Sequence, residues 1–176
     1  MIHRIFMYIM RASYYCISVL PLAIVIYAIL MTFRVCITHK KLHFDKYNLA
    51  EFFLTSYVMT VLQITGIIGM QFHVSWFLNS FSFGLLQSLT LGSLMMMGLN
   101  MLLFMPIGIL IPFVIRKCNL VKTLLIGFSL STIIEILQMF SGRMSEMDDI
   151  IMNTLGTLIG FALYKIIFHF IKNKMK

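Results

Sequence analysis

The sequence predicts an all-α membrane protein, a multi-pass transmembrane helical bundle with about four core spans plus interfacial or extra spanning helices. Of its 176 residues, 60% are hydrophobic and only 11% are charged. A soluble domain carries about 25% charged residues, so this chain could not cover a water-facing surface. In addition, four segments reach the roughly 20 apolar residues that a bilayer-crossing helix needs. Residues 1–176 are therefore predicted to form a single membrane domain whose first partner is the lipid bilayer.

The four core spans are apolar segments with polar residues at both ends. Pro21 in the first span is compatible with a membrane helix, where it produces a kink. Lys165, near the far end of the last span, can extend its ammonium group to the headgroups. Glu135 lies about 7 Å inside the third span and must be paired or hydrated there. The predicted spans are residues 14–33, 94–115, 120–140 and 150–171.

Residues 52–91 allow two interpretations. They contain no Asp, Glu, Lys or Arg, but many Ser, Thr, Gln, Asn and Gly residues. They form either two further spans, at about 52–70 and 72–91, or helices at the membrane interface with Tyr57 and Trp76 at headgroup level. Both interpretations add an even number of crossings, so the sidedness of the other spans is the same.

The net charge of +8 indicates membrane orientation, because basic residues collect in cytoplasmic loops and beside anionic lipids. The basic residues lie in short loops and termini without interleaved aromatic residues, which argues against a nucleic-acid partner. The basic connection after the second core span and the basic C-terminus are therefore predicted to be cytoplasmic, and residues 141–149 face outward. An even number of crossings puts Arg4 and Arg11 inside but residues 34–46 outside. A five-span arrangement reverses both, and we favour the even one.

The sequence predicts no catalytic residue, no cofactor and no metal site. Cys16, Cys36 and Cys118 are isolated, and the chain has no CxxC motif and no histidine at ligand spacing from a cysteine. His39 and His43 are four residues apart, but their lysine-rich segment is typical of a solvated loop.

Polar residues are concentrated at the outer ends of the last three spans. Glu135 needs a partner, and Arg143 is the nearest cation in the sequence, with three amides as further hydrogen-bond donors. The group forms either an outward-facing ligand pocket, which is the default for ionisable groups in a membrane, or a structural tie between Glu135 and Arg143 that fixes the last hairpin. This predicted polar cluster consists of Asn100, Glu135, Gln138, Arg143, Asp149 and Asn153.

A stripe of small and polar residues runs along one side of the last predicted helix. Asp149, Asn153, Gly156 and Gly160 are spaced 4, 3 and 4 residues apart, so they share one helix face. Two glycines four residues apart allow another helix to approach closely. We therefore predict that Gly156 and Gly160 serve helix packing.

These residues, in this order, resemble the VanZ-like family of bacterial membrane proteins. The resemblance is good over residues 100–160 and weak in the N-terminal half. Glu51 stands where the family usually has proline, and Glu146 stands where it usually has aspartate. The matching motifs are Glu135-x-x-Gln138, Arg143, Asp148-Asp149-x-x-x-Asn153-x-x-Gly156-x-x-x-Gly160, Asn100-x-x-x-Phe104-x-Pro106-x-Gly108 and Asn48-Leu49-Ala50-Glu51-Phe52.

The resemblance implies a bundle of about four spans in the bacterial cytoplasmic membrane, acting at the outer leaflet or cell wall. The family is best known for a member that gives low-level resistance to the glycopeptide teicoplanin. We therefore expect a cell-envelope protein that binds a lipid-linked cell-wall precursor, a lipoglycopeptide or a partner protein. The alternative is a membrane enzyme acting on such a precursor, with Glu135 or Asp149 as general base. The absence of HExxH, GxSxG and P-loop motifs argues against an enzyme, and the absence of an internal repeat argues against a transporter.

Overall fold

The computed structural model describes residues 2–38, 46–73, 81–82, 90–115, 118–141 and 145–174. It divides the chain into two compact units, Met1–Ile64 and Thr65–Lys176. Within the described residues the chain forms five α-helices and one pair of two-residue strands. In chain order these are α1 (Ile2–Thr38), α2 (Lys46–Ile64), β1 (Phe81–Ser82), α3 (Leu91–Val114), α4 (Leu120–Met139), β2 (Ser145–Glu146) and α5 (Met147–Lys174).

The first unit consists of α1 packed against α2. Tyr27 of α1 donates its hydroxyl hydrogen to the backbone carbonyl of Asn48 on α2, at 2.8 Å. Arg34 forms an ion pair with Glu51, with 2.8 Å between nitrogen and oxygen. Glu51, at the position where the resemblance expects proline, therefore contributes a polar contact between the two helices.

In the second unit, α3 and α4 begin at residues typical of N-caps. The Thr90 hydroxyl accepts a hydrogen bond from the Ser93 backbone N–H, and the Ser93 side chain accepts one from the Thr90 backbone N–H, which forms a capping box. The side chain of Asn119 accepts a hydrogen bond from the Lys122 backbone N–H at 2.9 Å. These bonds satisfy N–H groups that the first turn of a helix leaves unpaired.

Helices α3 and α5 run parallel and approach each other backbone to backbone. A Cβ atom built on Gly156 would lie 2.9 Å from the carbonyl carbon of Met101, and one built on Gly160 would lie 3.0 Å from that of Met105. On the facing helix, a Cβ atom on Gly108 would lie 2.9 Å from the carbonyl carbon of Thr157. A side chain at any of these positions would force backbone to move, so the close crossing depends on glycine.

Helix α4 runs antiparallel to α5. A Cβ atom built on Gly127 would lie 2.9 Å from the Cβ of Thr157. One turn further along α4, Ser131 accepts a hydrogen bond from the Asn153 amide of α5 at 2.9 Å. Residue numbers thus rise on α4 as they fall on α5. The starts of α3 and α5 and the end of α4 therefore lie together, and we call this the polar end of the second unit.

The prediction of an all-α, multi-pass membrane fold is confirmed. The described residues contain four helices long and apolar enough to cross a membrane. The predicted spans differ from them by a few residues, and α1 is longer still, with 37 residues where we predicted a span at 14–33. A helix continues past the membrane surface as long as its backbone hydrogen bonds are made, so hydropathy delimits the span and not the helix. The four candidate spans are Met10–Ile37, Leu91–Val114, Leu120–Met139 and Met147–Phe170.

The structure of the described residues in 52–91 differs from the interpretation of this segment as two further spans. Helix α2 ends at Ile64, and Gly66 and Gly69 follow with φ of 76° and 86°, a conformation that glycine adopts easily and that stops a helix. The later described residues of this segment before Leu91 are not helical, so a continuous helix over 72–91 does not agree with the structure. Among the described residues α2 is not a candidate span, and Trp76 lies outside them.

Candidate functional site

Asn100 and Asp149 join α3 to α5 at the polar end. The Asn100 Nδ2 donates a hydrogen bond to the Asp149 Oδ1. Asp149 lies in the first turn of α5, where a negative charge interacts favourably with the helix dipole. Asn100 thus uses its amide on Asp149, whereas the sequence suggested that it assists Glu135.

Asn153 lies one turn after Asp149 and connects α5 to α4. Its Nδ2 donates to the Ser131 Oγ at 2.9 Å, and only 5% of the residue is exposed. Its Oδ1 is buried and has no hydrogen-bond partner among the described residues. Helices α4 and α5 are antiparallel, so Glu135, one turn after Ser131 on α4, lies level with Asp149, one turn before Asn153 on α5.

Glu135 is 4% exposed, although it belongs to an otherwise apolar helix. A carboxylate at this depth costs a few kcal/mol or more unless it is paired or hydrated, so its burial requires polar surroundings. Arg143, the partner suggested by the sequence, lies outside the described residues. The pairing of Glu135 with Arg143 therefore stays a prediction.

Gln138 attaches the chain that precedes β1 to the end of α4. Its Nε2 donates to the backbone carbonyl of Thr65 at 2.9 Å. Nearby, the backbone N–H of His73 donates to the carbonyl of Phe140 at 3.0 Å, and the rings of Phe72 and Phe140 lie 5.1 Å apart. The strands β1 and β2 pair in parallel just beyond. Residues 65–73 and 81–82 are thus fixed onto the polar end at several points.

Charge is segregated within the described part of the second unit. Acidic side chains occur at the polar end, where His73 is the other ionisable group and is exposed, and the lysines lie toward the opposite end. Among the described residues, no group of three or more His, Cys, Asp or Glu side chains is arranged to hold a metal ion. The acidic residues are Glu135, Glu146, Asp148 and Asp149, and the lysines are Lys122, Lys165 and Lys172.

The family of the chain follows from a comparison with protein-family models. The VanZ/LLP1 model matches residues 16–169, which is most of the chain. The chain belongs to the VanZ/LLP1 family. The resemblance drawn from residues 100–160 is confirmed, and the family region also includes most of the first unit. No curated protein and no solved structure matches the chain significantly.

Several residues of this VanZ/LLP1 chain make contacts at the site that the sequence did not predict. Gly108 and Gly127 lie at close helix contacts, and Thr157 faces both of them. A sequence signal existed for Thr157, because it lies four residues after Asn153 and falls on the same stripe of α5. No sequence signal existed for the Thr65 carbonyl, since any residue can supply a backbone acceptor.

Proposed function

We propose that the polar cluster binds the polar head of a lipid-linked or lipophilic ligand, or a partner, at the outer leaflet of the bacterial cytoplasmic membrane. In this way the protein contributes to resistance against glycopeptides of the teicoplanin type without catalysing a reaction. The observation that carries the proposal is Glu135, an acid that is 4% exposed inside an apolar helix. A span needs no such group merely to cross a membrane, and intramembrane ionisable groups are generally functional.

The position of the cluster supports an amphiphilic ligand. Asn100, Ser131 and Asn153 come from three different helices. Asn100 bonds Asp149 near the helix ends, and Ser131 and Asn153 lie one turn deeper than Glu135 and Asp149. A lipid-linked molecule presents its polar head at that depth while its chain remains in the bilayer. In the proposed arrangement Arg143 binds a phosphate or carboxylate as a bidentate donor, and Glu135 orients Arg143.

The proposed orientation places the polar end outside and the C-terminus in the cytoplasm. The charge segregation of the second unit supports it, because lysines favour the cytoplasmic side. A reporter fused after Lys176 tests it: we expect a cytoplasmic reporter such as a fluorescent protein to be active and alkaline phosphatase to be inactive. Active phosphatase at that position would contradict the orientation.

The resistance proposal is tested in a deletion strain challenged with teicoplanin and other lipophilic wall-active antibiotics. We expect the wild-type gene to restore survival and Glu135→Ala and Asp149→Ala to fail, although both variants accumulate in the membrane. Glu146→Gln removes an acid from an exposed position at the same end and should complement fully. Full complementation by both alanine variants would refute the proposal.

One observation favours the enzyme alternative, namely that Glu135 and Asp149 are two acids at the same level of facing helices. Such a pair is compatible with hydrolysis or phosphoryl transfer by general acid–base catalysis. If the protein is an enzyme, purified protein should convert a labelled lipid-linked wall precursor, and Asp149→Asn should stop turnover while binding persists. If a panel of such lipids binds but none is converted, the enzyme alternative is refuted and the binding function is retained.

A further inference from the structure

Two side chains on α5 have an acceptor atom without a donor among the described residues. In Asp149 the Oδ1 accepts from Asn100, so the acceptor without a described donor is the Oδ2, and the side chain takes part in no ion pair of the described chain. The Oδ1 of Asn153 is buried and receives no hydrogen bond within the described part of the protein. A buried acceptor left unsatisfied costs about 1–3 kcal/mol, so a group that donates hydrogen bonds would bind here favourably.

The two acceptors are close enough to share one donor group. Asp149 and Asn153 are four residues apart on a helix, which brings their Cβ atoms to about 5–6 Å. The bond from Asn153 to Ser131 holds the amide in place at this face. A nitrogen that donates charge-assisted bonds of about 2.8 Å to both oxygens can bridge a gap of up to about 5.6 Å. The spacing of the two residues is therefore within the range that one ammonium nitrogen donating to both side chains can span.

Each amide nearest to this face already donates one of its two N–H groups to a described acceptor. Asn100 donates to Asp149, Asn153 donates to Ser131, and Gln138 donates to the Thr65 carbonyl. The buried Oδ1 of Asn153 still has no donor among the described residues, so a group that binds to it must bring its own hydrogen atoms.

The local charge also selects the incoming group. Glu146 and Asp148 add negative charge beside Asp149, while the described lysines of the second unit lie toward its other end. A hydroxyl group supplies a donor but no compensating charge, and a trimethylammonium group supplies charge but no donor. A primary ammonium group supplies both, with three N–H donors.

The geometry points to a binding site for the primary ammonium group of an amphiphilic ligand, held by Asp149 and Asn153. This inference rests on the proposed function and adds the chemistry of the ligand's head. The ammonium group has two sources at a membrane surface: the head of an amine-bearing bilayer lipid, or an amino side chain of a lipid-linked wall precursor.

The test uses the purified full-length protein in nanodiscs of phosphatidylcholine, whose head has no N–H donor. Three probes with the same alkyl chain are compared by native mass spectrometry: hexadecylammonium, hexadecyltrimethylammonium and N-hexadecylacetamide. We expect hexadecylammonium to bind about tenfold or more tightly than the other two, since a hydrogen bond to a charged group contributes about 1.5–3 kcal/mol. Equal binding of the three probes overturns the inference.

Variants locate the preference within the site. Asp149→Asn, which is nearly isosteric, and Asn153→Leu should each abolish the tenfold preference for the primary ammonium probe. Glu51→Gln, which removes one negative charge from the first unit, should retain it. If Asn153→Leu does not fold, Asp149→Asn decides alone, and a preserved preference in that variant overturns the assignment.

Competition separates the inference from the proposed function and identifies the source. Displacement of hexadecylammonium by phosphatidylethanolamine assigns a bilayer lipid, and displacement by a lysine-containing lipid-linked precursor assigns a wall precursor; both uphold the inference. If a precursor binds equally with its amine free or acetylated, the inference fails while the proposed function stands. If the wild type binds no probe and no precursor, both fail.

Discussion

Substituting Gly156 by alanine should separate α3 from α5. The new Cβ atom would lie 2.9 Å from the carbonyl carbon and 3.0 Å from the Cα of Met101, and closer still to its carbonyl oxygen. These are backbone atoms and cannot rotate away as the end of a flexible side chain can. Relief therefore requires one helix to move relative to the other.

The energetic cost follows from that displacement. Carbon atoms pack at about 3.5–4.0 Å, so the helices must separate by about 0.5–1 Å, which forfeits about a quarter to a half of each dispersion contact. For a crossing with on the order of 40 atom pairs at about 0.15 kcal/mol each, the loss is about 1.5–3 kcal/mol. This range agrees with measured costs of overpacking, about 1–3 kcal/mol. Alanine returns about 0.5–1 kcal/mol through its higher helix propensity, so the net destabilisation is about 0.5–2.5 kcal/mol.

The assay is reversible unfolding in mixed micelles by titration with a denaturing detergent, followed by circular dichroism. Gly98→Ala provides the matched control, because Gly98 lies in α3 and a Cβ atom there meets nothing within 4 Å. The control should leave stability unchanged or raise it by up to about 1 kcal/mol.

The double variant Gly156→Ala, Gly160→Ala gives a further check. One outward movement of the helix relieves both clashes, so the double variant should lose less stability than the sum of the single variants. If Gly156→Ala proves as stable as Gly98→Ala, the close backbone crossing of α3 and α5 is wrong.

Three other predictions concern contacts seen in the structure. Asn100→Leu and Asp149→Ala, which each remove one partner of the bond, combined in a double-mutant cycle of unfolding free energies, should show a coupling of about 1 kcal/mol; additive effects would contradict their hydrogen bond. Gly127→Ala should lower the unfolding midpoint and Thr157→Ala should restore part of the loss, because the three atoms nearest to the new methyl group belong to the Thr157 side chain and two of them are removed; no rescue would refute that clash. Arg34→Ala breaks a partly exposed ion pair, so it should lower the free energy of unfolding by no more than about 1 kcal/mol. A larger decrease, or one that persists at high salt, would contradict an ion pair screened by solvent.

The membrane spans could be predicted because hydropathy acts locally. The third span, predicted at 120–140, agrees closely with α4, since polar residues flank its apolar core directly. The ends of α1 could not be predicted in the same way, because its helix continues through Arg4 and Arg11 into polar sequence. Helical hydrogen bonds persist there regardless of hydropathy, so composition gave no sign of where the helix ends.

The candidate site was predicted as a set of residues but not as a set of bonds. Helical spacing correctly puts Asn153 and Asp149 on one face, which is a property of a single helix. Which atom each amide meets depends on the register between helices, and glycine contacts such as the one at Gly127 set that register. The partner of Gln138 is a backbone carbonyl in a distant segment, and side-chain identity carries no information about it.

The attachment of residues 65–73 and 81–82 to the end of the α4–α5 pair has a consequence for biogenesis. These residues leave the ribosome before the carbonyl of Phe140 and the strand at 145–146 that they bind. A segment made early must therefore wait until the final hairpin has inserted, since contacts between residues distant in sequence form slowly.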